Sequence, residues 1–582
     1  MSLADCHEGF RERYLDYAAL TRQLEAWAEG WPELVRLTSL GRTPEGREIW
    51  LLTVGREPER VRPAVWVDGN MHAAEVSGSS VALAIAETVL RLHLDETPPA
   101  LPEPLPEPLP EPLAEAVDDA LFHICPRVSP DGAERVLREG GFVRSVPRPA
   151  HPERAEPHWR FEDIDGDGII RYMRVEDPAG DFVAASDHPG LMLPRRLQDP
   201  PPYYRIYREG TIVHWDGASV PAPELLAGTT DLNRNFPADW RPEPRQAGAG
   251  AYAGSEPETR ALLEWTRHHP ELYAWLNLHT FGGVFIRPLG DRPDSRMDRG
   301  DRALYRQLEA WGEAFVGYPT VSAYEEFTYQ PETPLHGDLL DYVYGTRGCL
   351  AIVCELWDLF AHLDLPQPRP FVERYSALSR DDLRTLADWD AEHNQGRIFQ
   401  RWQPVDHPQL GPVEVGGPEP LVGLWNPPFE QLAELCDRLS RYWLQVAATL
   451  PRLVVERLEA EPLGEGVTRV RAVVANHGYL PSWGLDSARD LTWNTPVRAE
   501  LATSDCALAE GESAHRVAGP LGGWGRGLGR GGEAPMFMGS PGSGHRATLT
   551  WLVRGAGRAT LTVGSARLGW QSAGVDIPDT SR

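Results

Sequence analysis

The chain contains no lysine: its 57 strongly basic side chains are all arginine, set against 85 carboxylates, for a formal charge of -28. So large an acidic excess argues against a nucleic-acid backbone as partner, although it leaves the field inside any one cleft undetermined. With arginine the sole strong base, its abundance carries no message, and only an arginine at a particular place argues for a role. Cysteine is scarce, six in 582 residues. Cys125, Cys349 and Cys354 fall in apolar runs and read as small core residues, which excludes a disulfide-stapled scaffold. No run of 18 apolar residues occurs, and the opening MSLADCHEGFRERYLDY has neither a basic leader nor an apolar segment. The expectation is a soluble, cytoplasmic protein with no membrane partner.

What is present suffices for a large core: 41% of 582 residues are hydrophobic, and at roughly 100–200 residues per domain the chain holds at least two. Tyr17, Leu20, Leu24 and Trp27 mark one helix face, and strands are expected at Ile49 to Val54 and Ala64 to Val67. The turn Asp68-Gly69-Asn70 and a helix from Ser79 to His93 follow, an α/β rhythm. LPEPLPEPLPEPL, Leu101 to Leu113, is a tandem repeat whose prolines favour an extended surface insertion, the alternative being a docking segment for a proline-recognising partner. A second insertion, polar and rich in Pro and Gly, runs from about 149 to 230. Ser255 and Glu258 have capping-box spacing at a helix start, and Phe429, Leu432, Leu435, Leu439, Trp443 and Val446 mark a long amphipathic helix. Beyond Arg452, short alternating runs between Gly-rich and Pro-rich turns predict a β-sandwich domain over 451–582, after an α/β domain over 1–450.

A histidine followed three residues later by a glutamate occurs three times, at His72/Glu75, His93/Glu96 and His268/Glu271, so the spacing alone selects nothing. His72 and Glu75 follow a strand directly, at a turn where both side chains can converge, whereas the other pairs close helices. His279 ends the apolar run AWLNLH, which brings an imidazole to a sheet edge, where open α/β folds build sites. Two histidines and a carboxylate with an open fourth position make a catalytic zinc site. Glu355 lies inside AIVCELW, and a carboxylate in such a strand is costly unless it has a task.

From Tyr14 to Trp357 the sequence resembles the zinc metallocarboxypeptidases of the carboxypeptidase A type (M14-like), on five motifs in the right order. The resemblance implies an α/β fold with a mixed, mostly parallel central sheet flanked by helices. It implies zinc held by His72, Glu75 and His279, and Glu355 as general base. SPDG looks like the family's NPDG with Ser129 in place of asparagine, and the carbonyl-polarising arginine then falls on Arg144, with Arg148 its rival. DLNRNF is similar to the Asn-Arg pair that grips a terminal carboxylate, which gives Asn233 and Arg234 that role. A mobile, substrate-closing tyrosine has no clean counterpart. Spacing from Glu355 lands on Thr333, Tyr329 is nearest in sequence, and Tyr324 is the other choice. The same spacing sets Leu340 at the floor of the specificity pocket, favouring a neutral or apolar terminal side chain.

DIDGDGII offers Asp163, Asp165, Asp167 and Gly168 in the pattern of a calcium loop, yet Arg174 stands where a bidentate glutamate belongs, so calcium and a solvated acidic turn both stay open. The expected activity is hydrolysis of a C-terminal peptide bond by zinc-bound water, on a peptide or small amide with a free carboxylate. Two alternatives keep the metal: deacylation of N-acyl amino acids and cleavage of murein peptides. A third makes the chain a non-catalytic binding protein on an inherited fold. Oligomeric state is left open.

Overall fold

The computed structural model describes residues 3–96, 111–140, 143–148, 155–222, 229–329, 333–376, 378–525 and 542–579. Most of the proline repeat lies outside these residues. Its last turn does not stay extended: a helix covers Glu111–Asp119, with Pro112 in the first turn, where no intrahelical amide bond is lost.

An eight-stranded sheet organises the molecule, in the order Val35–Arg42, Glu48–Val54, Leu121–Cys125, Ala64–Gly69, Leu272–Thr280, Leu350–Leu356, Val284–Arg287, Thr320–Ser322. The four central strands are mutually parallel, and antiparallel pairings lie on either side of them. Every residue of Ala64–Gly69 and Leu272–Thr280 is buried, as parallel strands covered on both faces require. The helix Ser77–His93 packs directly after the first of these strands. A Cβ on Gly69 would come within 2.5 Å of the Gly78 backbone, so glycine is needed where strand and helix cross. Asn235 donates to the Ser255 hydroxyl, and the helix begins two residues later at Pro257 with no side-chain cap. Glu258 instead pairs with Arg148, which corrects the expected capping box.

Residues 172–208 contribute strands to a six-stranded sheet completed by Phe399–His407 and Gly411–Pro418. The C-terminal region forms two four-stranded antiparallel sheets between Leu453 and Ile577, a β-sandwich filled by Val470, Val474, Trp551, Leu561 and Val563. Buried polar groups tie it to the α/β body. Asp301 accepts the amides of Asp486 and Ser487, and Arg567 donates to the carbonyls of Leu272 and Gly348. Among the described residues no disulfide joins two cysteines, and no helix is long and apolar enough to cross a membrane.

Candidate metal centre

The C-terminal ends of three adjacent parallel strands, Ala64–Gly69, Leu272–Thr280 and Leu350–Leu356, deliver His72 with Glu75, His279, and Glu355 to one place. Ligand atoms of His72, Glu75 and His279 lie within 4.8 Å of one another. The His72 Nδ1 is 2.9 Å from one Glu75 oxygen, the His279 Nδ1 is 3.0 Å from the other, and the two Nδ1 atoms are 3.0 Å apart. All three residues are buried.

The far side of each ring fixes its proton. Asp231, which can only accept, takes the His72 Nε2 at 3.1 Å, and the Asn277 carbonyl takes the His279 Nε2 at 2.5 Å. In the tautomer these partners select, protonated on Nε2, each imidazole turns an Nδ1 lone pair toward the other ring and toward a carboxylate. Three acceptors converging without a donor are a repulsive arrangement that a cation completes. A tetrahedral zinc ion with bonds of about 2.0–2.1 Å spaces its donors by roughly 3.3 Å, so the donor set fits zinc. Behind it, the Asn277 amide donates to Asp68, which also accepts the Trp66 indole at 2.8 Å and the Trp275 indole at 2.5 Å. Burial pushes the Asp68 carboxyl up to about 7 against those three donors.

Arg144 donates to the Asp231 oxygen opposite the one His72 uses, at 2.9 Å, and stands 3.6 Å from Glu75. Burial opposes its charge, but Asp231 and Glu75 outweigh burial and keep the guanidinium protonated. The SPDG turn explains how it is held: the Ala73 amide donates to the Arg144 carbonyl, the Ser129 hydroxyl to the Ser145 carbonyl, and a Cβ on Gly132 would overlap that same carbonyl at 2.1 Å. Arg148 is bound to Glu256 and Glu258, so the structure brings Arg144, not its rival, to the cavity.

That cavity encloses about 510 Å³, within the roughly 300–1,000 Å³ usual for small-molecule sites. Asn233 and Arg234 line it: the Asn233 side-chain oxygen accepts the Leu339 amide at 2.9 Å, and among the described residues no carboxylate lies within ion-pairing distance of Arg234. Glu355 also faces it and makes no side-chain hydrogen bond among the described residues. Burial and the neighbouring Glu75 push its carboxyl well above the usual range, against Arg144. Tyr329, 63% exposed, lines the opening, whereas Tyr324 and Thr333 do not. Leu340 lines the cavity, as do Ile286, Gly290, Ala323 and Asp338, the last buried with one oxygen on the Asp341 amide at 2.7 Å.

Asp231, Asn277, Asp68 and Asp338 escaped the sequence reading. Asn277 sits two residues before His279 and so on the same face of a strand, a usable signal that was not used. The other two histidine-glutamate pairs stay outside the site. Among the described residues the ring nitrogens of buried His93 have no hydrogen-bond partner, and Glu271 pairs with His269 instead of His268. The acidic loop is corrected too. Asp167 pairs with Arg171, and it is Glu209 that approaches Asp163 and Asp165. Both Glu209 oxygens also accept the amides of Ile164, Asp165 and Arg171, and ligand atoms of Asp163, Asp165 and Glu209 lie within 4.8 Å of one another.

Residues 20–165 and 205–369 match the family model described as zinc carboxypeptidase, and residues 452–576 match one described as a domain of unknown function (DUF8731). Human carboxypeptidase Z is 24% identical over 176 residues, covering 30% of this chain and 24% of its own length. A zinc carboxypeptidase of Saccharothrix mutabilis subsp. capreolus is 29% identical over 133 residues, covering 22% and 27%. The chain thus spans about a quarter of the length of these curated relatives. Among solved structures, thrombin activatable fibrinolysis inhibitor (TAFI) aligns at 18% identity over 61% of this chain and 68% of that one, with a TM-score of 0.41.

Proposed function

The chain belongs to the zinc carboxypeptidase family, and from that premise we propose that it hydrolyses the amide bond next to a free terminal carboxylate in a peptide or small N-acyl amino acid. His72, Glu75 and His279 would hold the zinc ion. When bound, zinc supplies Lewis acidity, lowering the pKa of water toward neutrality and polarising a carbonyl.

The chain's own residues do the rest. Arg234 and Asn233 grip the substrate carboxylate, for which an arginine fork with an amide beside it is the matching receptor. Arg144 donates to the scissile carbonyl oxygen as negative charge grows on it. Glu355 accepts a proton from the attacking water and hands it to the departing nitrogen, so that the amine leaves neutral. Tyr329 at the rim covers the bound substrate. Leu340 forms the apolar floor of the terminal side-chain pocket, with Asp338 at its edge.

The observation that carries this reading is Glu355: a carboxylate beside the metal cluster, lining a cavity and, among the described residues, making no side-chain hydrogen bond or ion pair. A binding protein on an inherited fold has no use for it there. The test is hydrolysis of blocked dipeptides and N-acyl amino acids by zinc-loaded protein, with Glu355→Gln as control. Loss of turnover at full zinc content supports the assignment, and undiminished turnover sinks it.

A further inference from the structure

The cavity has two apolar walls built by different parts of the chain. Ile286, Ala323 and Leu340 line it together with Asn233 and Arg234, and the Leu339 amide next to Leu340 donates to the Asn233 side chain. The second wall is formed by Phe281, Phe360, Tyr375, Leu386, Leu424 and Trp425. Four of these six lie beyond residue 369, where the match to the family model ends. Phe281 immediately follows the strand that carries His279. Its ring stacks on Phe360 at 5.6 Å between centroids and meets Tyr375 and Trp425 edge-on, each at 5.4 Å.

This wall is braced. Phe281 and Leu424 pack on a separate apolar cluster of Trp357, Leu359, Leu363, Leu386, Trp389 and Ile398. The Tyr375 hydroxyl donates to the Phe281 carbonyl. Trp425 is tied to the metal ligands themselves, because its neighbour Asn426 donates to the Ala74 carbonyl at 2.7 Å and accepts the Ser77 amide at 2.9 Å, on either side of Glu75. Asp382 is the charged side chain on this side of the cavity, at the start of the helix Arg380–His393.

We propose that these residues form an acyl-side compartment that selects substrates with a large apolar or aromatic group on the carbonyl side of the scissile bond. The inference rests on the proposed hydrolysis. With the terminal carboxylate on Arg234 and the scissile carbonyl at the metal cluster, the group attached to the carbonyl carbon is left to the second wall. An apolar group there removes apolar surface from water. An acidic one meets an uncharged aromatic wall with Asp382 nearby and finds no partner, so it is rejected.

Binding separates this proposal from the reaction. Zinc-loaded, full-length Glu355→Gln protein is titrated calorimetrically with N-(3-phenylpropanoyl)-leucine, N-acetyl-leucine and N-succinyl-leucine. The phenylpropanoyl ligand is expected to bind about tenfold or more tightly than the acetyl one, the scale of discrimination open to a hydrophobic pocket, and the succinyl ligand more weakly than the phenylpropanoyl. Trp425→Ala, and independently Leu424→Ala, each checked for native near-UV circular dichroism, should shrink the phenylpropanoyl preference. Equal affinities, or a preference untouched in both variants, overturns the compartment. Failure of the zinc-loaded wild type to cleave any of the three overturns the proposed reaction, while the affinity ratio still decides the compartment.

Discussion

His279 and Glu355 are register partners on adjacent parallel strands, so their side chains leave the sheet on the same face. The proposed zinc ligand and the proposed base are therefore set side by side by a backbone ladder, which needs no loop to order on binding. Glu75 completes the group from beyond the neighbouring strand's end, and its charge adds to burial in raising the Glu355 carboxyl.

Replacing Glu355 by Gln removes the proton acceptor but keeps size and shape. Hydrolysis should fall by about 10²- to 10⁴-fold, the usual share of a general base, with zinc content unchanged. Steady-state kinetics alongside elemental analysis checks both halves.

Asp231 and Asn277 orient the two imidazoles from behind. Asp231→Asn and Asn277→Leu should each weaken zinc binding by about 10- to 100-fold, the range found when such outer partners are lost. Competition with a chelating dye reads the affinity directly. Affinity unchanged in both variants would mean the rings are held by packing alone.

Arg234→Ala strips the fork from the carboxylate receptor. A charged hydrogen bond is worth about 1.5–3 kcal/mol, so kcat/KM for a free-acid substrate should drop roughly 10- to 150-fold. The same substrate ended by a carboxamide should lose far less, and comparison of the two isolates the carboxylate contact.

His123 gives the fold a pH dependence away from the site. Burial, with His269 nearby, holds its imidazole down at about 3, below the ordinary value of 6.5. Because the folded value is the lower one, the unfolded chain binds the proton first. The stabilisation is complete above pH 6.5 and is lost as pH falls toward 3, at about 1.4 kcal/mol per unit. In chelator-treated protein, denaturant titrations of His123→Phe should show a shallower loss between pH 6 and pH 4 than wild type. Parallel curves would contradict the assignment.

Much of the site was legible because its chemistry breaks local rules. His72, His279 and Glu355 are polar groups at the ends of apolar strands, and Gly132 of SPDG is demanded by a carbonyl 2.1 Å from where its Cβ would stand. The arginine choice was not legible, since Arg144 and Arg148 differ only in which acids tertiary folding brings to them. Nor was the second cavity wall. Phe281, Tyr375 and Trp425 read as ordinary aromatic residues until distant segments close on one another. The make-up of the acidic cluster was not legible either, because a sequence pattern cannot reveal that Arg171 claims Asp167 or that Glu209, between two strands, approaches Asp163 and Asp165.

The most direct test is the zinc content of purified protein equilibrated with the metal and freed of excess, for wild type and for His72→Ala and His279→Ala. The account predicts one zinc per wild-type chain and, in each variant, loss of the metal together with hydrolysis. Stoichiometric zinc in both variants, or a folded wild type that takes up none, would contradict it.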